Sequence, residues 1–332
     1  ALSRFDGTAT LDFFHALGLL TTAQADGRVY PLSDQASSVL DVLRFALDAR
    51  GANVVTSCDV IEVKHKARGY EALCATGEKY FGDKLIIACG GAAGKKLGGS
   101  KSGYHLLSQL GHSCTELLPS LTQIKTDPTY VKALKGVRAD AHVRLRKDGQ
   151  TVQDSFGEVQ FTDFGLSGPE AFTLSRAAAT GGENQELALD FFREYGDGVL
   201  LDMLQEKRAN LPALAAEDLF SGMLQSRLGK MIVKRAGLKY QTPLQSLNDE
   251  QLLACVKIAK WFTLAVEGVM GFDSAQVTAG GVSTREFDAR TLESTISPGL
   301  FVCGEVLDID GDCGGYNLQW AWSSGHAAGA AR

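Results

Sequence analysis

Three stretches of the sequence predict an α/β architecture: a parallel-sheet domain of nucleotide-binding type, interrupted by a β-rich insertion and a small helical one. The first is Lys84 to Cys89, an apolar run of strand length that stops at Gly90-Gly91. The second is Leu300 to Cys303, which gives way to Gly304-Glu305, an acidic glycine-rich loop and a helix start near Asn317. Runs that are apolar on both faces read as strands buried within parallel sheets. The carboxyl end of such a strand, facing a helix start, is where these proteins place nucleotide cofactors. The third is the middle of the chain, where strand-like pieces dominate Leu121 to Phe164 and helical spacing governs Val199 to Phe262. The two ends therefore share one domain, and the middle is inserted into it.

The elements follow in order. Leu11, Phe14, Leu17 and Leu20 recur at helical spacing, and Gly18 falls where that helix would end. After the turn at Asp26-Gly27 comes a brief extended piece, Arg28 to Pro31. Ser33 is placed to cap a second helix, whose Val39, Leu40, Leu43 and Leu47 form one face until Gly51. Asn53 to Ser57, Asp59 to Lys64 and Tyr70 to Ala75 read as short strands, leading to the Lys84 run. Tyr104 to Leu110 reads as a helix. In the middle region Leu200, Leu201 and Leu204, then Leu224, Leu228 and Ile232, then Leu252, Leu253, Val256 and Ala259 mark three helical faces. Strands return at Gln276 to Thr278 and at Leu300, and a helix from about Asn317 to Ala330 closes the chain.

Composition excludes several classes. With 332 residues and 45% hydrophobic content, the chain can bury more than one core. A net charge of -6, spread without long runs of one sign, offers nothing to a phosphate backbone or an anionic membrane, so nucleic acid and membrane are not expected partners. The apolar runs are far shorter than the ~20 residues needed to span a bilayer, and no signal sequence opens the chain. The seven cysteines are odd in number and scattered, with no C-x-x-C pair, which favours a reducing cytoplasm and gives no metal site.

The C-terminal loop carries the chemistry. The N–H groups of a helix start favour partial negative charge. Glu305 offers a carboxylate to sugar hydroxyls, and Gly314 and Gly315 allow backbone to approach a flat ring closely. An ordinary glycine-rich turn before a helix has the same spacing, so the pattern alone does not decide. Gly94 to Gly99 has the glycine spacing of a phosphate loop, but Ser100 stands where the lysine belongs, and it reads as a turn. Asp308, Asp310 and Asp312 lack the glycine and terminal glutamate of a calcium loop.

Six motifs in order along the chain resemble the BaiN/aminoacetone-oxidase-like FAD-dependent oxidoreductases of bacteria. They are Gly27 to Ser33, Ile87 to Gly91, Phe161 to Pro169, Val277 to Val282, Thr291 to Ser294 and the run from Gly299 to Gln319. The resemblance implies a split Rossmann-like FAD-binding domain at 1–118 and 270–332, a β-rich, barrel-like domain at 119–195 and 258–270, and a helical domain at 196–257. It implies that Gly90 and Gly91 pass near the adenosine half of FAD, and that Gly304, Glu305 and Asp310 hold its ribityl and phosphate portion. Gly314, Gly315, Tyr316, Asn317 and Leu318 would then bracket the isoalloxazine, with Thr278, Gly280 and Gly281 on its other flank. Cys89 replaces the threonine usual in that motif and is expected to be a small buried thiol. Members of the family open with a strand, a G-x-G-x-x-G turn and a helix, and no G-x-G-x-x-G occurs in this sequence. The first βαβ unit is therefore expected to be absent, and the chain as given to be truncated, weak in FAD binding and inactive.

The activity implied is oxidation or reduction of a small organic substrate, with NAD(P)H or oxygen as electron partner. The rival reading is a catalytically silent binding or scaffold module on the same fold. Catalytic residues are not determined by the sequence. Tyr316 is the candidate for touching substrate or flavin, the six histidines read as surface or packing residues, Cys313 as an inert thiol, and Trp320 and Trp322 as core or domain-contact residues.

Overall fold

A computed structural model describes residues 1–331. Along the chain the elements are α1 (Gly7–Ala16), β1 (Thr21–Ala23), β2 (Val29–Pro31), α2 (Ala36–Ala49), β3 (Val60–His65), β4 (Tyr70–Cys74), β5 (Lys79–Gly82), β6 (Leu85–Ile87) and α3 (Ser102–Gln109). There follow β7 (Leu118–Ser120), β8 (Ile124–Thr126), α4 (Pro128–Val131), β9 (Arg138–Lys147), β10 (Gln150–Phe161), β11 (Gly165–Ser167), α5 (Pro169–Thr180) and β12 (Gln185–Asp190). The last are α6 (Asp197–Asn210), α7 (Ser226–Arg235), α8 (Asp249–Lys260), β13 (Phe262–Val269), β14 (Val277–Ala279), β15 (Leu300–Val302) and α9 (Tyr316–Ala330). The chain divides into two compact units, Ala1–Leu117 with Val277–Arg332, and Leu118–Gln276.

In the first unit, β6 and β15 pair in parallel, with Leu85, Ile86 and Ile87 opposite Leu300, Phe301 and Val302. Their carboxyl ends therefore lie side by side, and so do the Gly90-Gly91 and Gly304-Glu305 turns that follow them. The β3, β4 and β5 strands form a separate antiparallel sheet, and β1 and β2 form a hairpin. Helix α1 begins where the Asp6 carboxylate accepts from the Ala9 amide. Helix α2 forms as its spacing predicts, but its N-cap is Gln35, and Ser33 instead bonds Ser38 side chain to side chain. None of its residues is buried, and Leu40, Phe45 and Leu47 stay exposed.

Three further expectations differ from the structure. Asn53 to Ser57 is not a strand: Val54 and Val55 are exposed and have no neighbouring strand to pair with. Cys58 and Cys74 are joined as a disulfide with Cα atoms 5.7 Å apart. The β3–β4 register places Cys74 opposite Val60, two residues beyond Cys58, which brings the two thiols together. Cys89 is exposed rather than buried. His112, read as a surface or packing residue, is of the packing kind: it is buried, with Nδ1 2.8 Å from Glu286 and Nε2 3.0 Å from the Ser294 hydroxyl.

The second unit is a closed barrel in the order β10, β11, β8, β13, β12, β9. Alternation along the strands sends Ala141, Val143 and Leu145 of β9, Val159 and Phe161 of β10, Leu187 and Leu189 of β12, and Phe262 and Leu264 of β13 inward. The α6, α7 and α8 helices bury Leu200, Leu204, Leu228, Ile232, Leu252 and Val256 in the same apolar cluster, so barrel and helices share one core. Helix α8 starts in a capping box between Asn248 and Gln251. Pro169 occupies the first turn of α5, where its missing N–H costs nothing. Among the described residues no helix is long and apolar enough to cross a membrane.

Candidate functional site

The site grows from the two parallel strand ends. Gly91 is buried, and a Cβ there would sit 2.2 Å from Glu305 Oε1 and 2.5 Å from Thr278 Oγ1. Only glycine lets the two turns approach so closely. Thr278 is fully buried and ties them together: its hydroxyl accepts from the Ala92 and Ala93 amides at 2.9 and 3.0 Å, and its own amide donates to Glu305 Oε1 at 2.6 Å. Burial pushes the Glu305 carboxyl above its usual range, the hydrogen bonds from Thr278 oppose that, and the charge of Asp310 adds to it. Beside this knot the Tyr104 hydroxyl is buried without a hydrogen-bond partner of good geometry. Burial and the neighbouring Glu305 raise its pKa.

Gly304 adopts φ +78° with nothing within 4 Å of where a Cβ would stand. Its backbone is held from behind by α9, since its amide donates to Ser324 Oγ at 2.9 Å and its carbonyl accepts from Trp320 Nε1 at 3.1 Å. Gly90 (φ +71°) and Gly315 (φ +98°) also have open space where a side chain would project, whereas Gly314 (φ +137°) faces the Tyr316 ring. Gly315 is the N-cap of α9 and supplies no side-chain cap. The first helical bond runs from the Gln319 amide to the Gly315 carbonyl. The amides of Tyr316, Asn317 and Leu318 are thus left for an external acceptor.

The other expected site residues divide. Tyr316 and Leu318 are exposed at this helix start, and Asp310 is half-buried on the loop before it. The Asn317 side chain is spent on the loop, accepting from the Gly311 amide at 2.9 Å and donating to the Gly311 carbonyl at 2.8 Å. Gly280 and Gly281 are buried against backbone: a Cβ would meet the Glu116 carbonyl oxygen at 2.0 Å and the Asp308 amide at 2.7 Å, respectively. The structure therefore gives Thr278, Gly280 and Gly281 the task of packing the turns, with no surface open toward a ring.

A cavity of about 520 Å³ opens beside Gly314, Gly315 and Tyr316. Its other walls are Phe14 and Leu11 of α1, the hairpin residues Arg28 to Pro31, and Leu318 and Trp322 of α9. Gln319 anchors α1 to α9 by donating to Phe5 O, Thr10 Oγ1 and Ser323 Oγ. The Arg28 to Pro31 stretch, part of a family motif with no site role expected from sequence, forms a wall of the cavity. Trp320 was read as a core or domain-contact residue and turns out to position the Gly304 turn. Neither role has a local signal, because the partners lie far apart in sequence.

The HI0933-like protein Rossmann domain family matches residues 1–331, and the chain belongs to this family of flavoprotein oxidoreductases. It is 35% identical to the 3-dehydro-bile acid delta(4,6)-reductase of Clostridium scindens, over 99% of this chain and 81% of the relative. It is 27% identical to the ribosomal RNA dihydrouridine synthase of Escherichia coli, over 98% of this chain and 79% of the relative. The Haemophilus influenzae protein of the same name is 23% identical over 98% and 80%. The residues present fit the family's cofactor, FAD. Gly90, Gly304 and Gly315 each leave open space where a side chain would project, the α9 amides are unspent, and the Tyr104 hydroxyl is a buried donor still lacking a partner.

Proposed function

We propose that the chain is an FAD-dependent reductase that saturates a carbon–carbon double bond in a small, largely apolar, ring-bearing substrate, taking its electrons from NAD(P)H. One observation carries the reading. Gly315, an open glycine at the uncapped start of α9, borders a cavity lined mostly by apolar residues. The reductive direction is supported by the 35% identical relative, which is itself a reductase of a bile acid. When bound, FAD supplies hydride chemistry that no side chain can perform. The chain's own residues bind and orient. Gly304 and Glu305 present backbone and carboxylate to the ribityl portion, and the amides of Tyr316 to Leu318 favour negative charge at the ring's carbonyl edge. Phe14, Tyr30 and Trp322 exclude water from the cavity, and the exposed Tyr316 is the side chain we place against substrate. We also place the protein in the cytoplasm, with a small molecule rather than nucleic acid or membrane as its partner.

The test is anaerobic. Purified protein reconstituted with FAD should lose its flavin absorbance on mixing with NADH or NADPH and regain it on adding a steroid enone. Bleaching by an amine, with regain only on admitting air, would make the protein an oxidase and end the reductase reading. A colourless protein that takes up no FAD would favour the silent module. The same titration on these 332 residues tests the expected weakness of binding. Gly315→Val should remove flavin retention, because a side chain would enter the open space before α9 and Gly315 holds φ +98°.

A further inference from the structure

The outer face of the barrel carries a second constellation that the flavin chemistry does not use. Arg144 and Arg146 lie on the outward side of β9, and both guanidinium groups stack on the Trp261 ring, at 5.2 and 5.0 Å from its centre. Their surroundings differ. Arg146 is paired with Glu186 and with the Gly149 carbonyl. The residue opposite Arg144 on β10 is Asp154, but Asp154 is taken by His142 Nε2 at 2.7 Å, and on the other side stands Ala188. Arg144 Nη1 is consequently buried with no hydrogen-bond partner. The guanidinium charge rests on the Trp261 ring.

Arg144 lines a cavity of about 450 Å³ together with Asp190, Asp197, Lys257, Lys260 and Trp261, a size that suits a small molecule. Lys260 and Asp190 satisfy each other at 3.0 Å, and Lys260 also donates to the Phe192 and Tyr195 carbonyls, so this pair is structural. Lys257, one turn earlier on α8, is exposed. The uncommitted charge is then Arg144 and Lys257 against Asp197, and the wall beside it is an indole with 42% of its surface exposed. Two cations beside one flat aromatic ring match a phosphate carried on a planar base, while Asp197 disfavours a long polyanion. We infer that this cavity is a binding site for a nucleoside monophosphate or the monophosphate end of a larger nucleotide, its phosphate on Arg144 and Lys257 and its base against Trp261.

The experiment is calorimetric titration of the FAD-saturated protein, whose flavin site cannot then take up adenylate, with AMP, adenosine, inorganic phosphate and a short single-stranded RNA. AMP should bind at one site more tightly than adenosine or phosphate. Arg144→Gln should weaken AMP at least tenfold. Trp261→Leu should weaken AMP but not phosphate. Lys257→Gln, at an exposed position with no structural task, should cost about threefold and gives a readout even if the Arg144 variant fails to fold. No AMP binding, or AMP binding unchanged in Arg144→Gln and Lys257→Gln, overturns the site. RNA binding that is tighter than AMP and lost with Arg144 overturns its assignment to a small nucleotide.

Discussion

The barrel and the glycine loop use their residues in opposite ways. In the barrel, strand alternation fills the interior with side chains that no solvent reaches, among them Phe161, Leu187 and Phe262, and the backbone is satisfied by the sheet itself. In the loop, the polar side chains of Thr278, Asn317, Trp320 and Ser324 are spent holding backbone in place, and what faces outward is glycine and free amide. The barrel's stability resides in volume. The loop instead keeps space empty, with hydrogen bonds behind it.

Phe161→Ala probes the first half of that contrast and carries the largest expected effect. The ring is fully buried and meets Phe191 and Phe262 at 6.5 and 6.4 Å between centroids. Its removal should cost about 3–5 kcal/mol by urea denaturation. A loss near 1 kcal/mol would mean that the barrel collapses around the gap and is not rigidly packed.

Gly91→Ala probes the second half. One methyl group, at 2.2 Å from Glu305 Oε1 and 2.5 Å from Thr278 Oγ1, must force the two turns apart. Destabilisation of about 1–3 kcal/mol is expected, together with loss of FAD retention measured by fluorescence. If stability falls while FAD binds as before, the knot supports the fold alone and the cradle lies elsewhere.

These effects separate what was legible in the sequence from what was not. The Leu85 and Leu300 strands, the Gly304 to Gly315 loop and the final helix announce themselves locally, because apolar runs and glycine clusters are local patterns. Periodicity also gave α2 and α7 alike. Yet α7 buries Leu228, Met231, Ile232 and Val233 while α2 buries nothing, since spacing predicts a helix face and not what covers it. The same limit made Val54-Val55 look like a strand. The glycines divide on the same line: Gly314 and Gly315 read alike as backbone open to a ring, yet Gly315 has open space and Gly314 faces the Tyr316 ring, while Gly280 and Gly281 are packed against the backbone of Glu116 and Asp308. Gly94 to Gly99 remained the turn it was read as, with a short 3-10 segment at Lys95–Leu97.

Glu305→Gln sharpens the electrostatic part of the comparison. Burial holds the Glu305 carboxyl above its ordinary range despite the Thr278 amide, so folding favours the protonated form. The stability this contributes is complete below about pH 4, near the unfolded value, and is lost as pH rises through the raised folded value. The glutamine variant should therefore show a flatter decline of stability from pH 4 to 8 than the parent. Its FAD affinity should fall by about 1–2 kcal/mol, because a neutral acceptor replaces a charged one. A parallel pH profile in the two proteins would mean that Glu305 ionises freely and is not held by its surroundings.

Trp320→Phe is the smallest perturbation and the most specific. The indole Nε1 donates to the Gly304 carbonyl at 3.1 Å from sixteen residues further along the chain, while Ser324 Oγ accepts from the Gly304 amide. Phenylalanine keeps most of the apolar contact and deletes only the donor, so Gly304 loses one of the two side-chain bonds that tie its backbone to α9. The expected loss is about 1 kcal/mol, the net worth of a single hydrogen bond, and it should appear as roughly fivefold weaker FAD binding more than as a lower unfolding midpoint. Trp320→Phe combined with Ser324→Ala should then exceed the sum of the single effects, because both side chains hold the same glycine. Simple additivity, or an effect on the midpoint alone, would mean that Trp320 serves the core and that the open face of Gly304 is held by something other than α9.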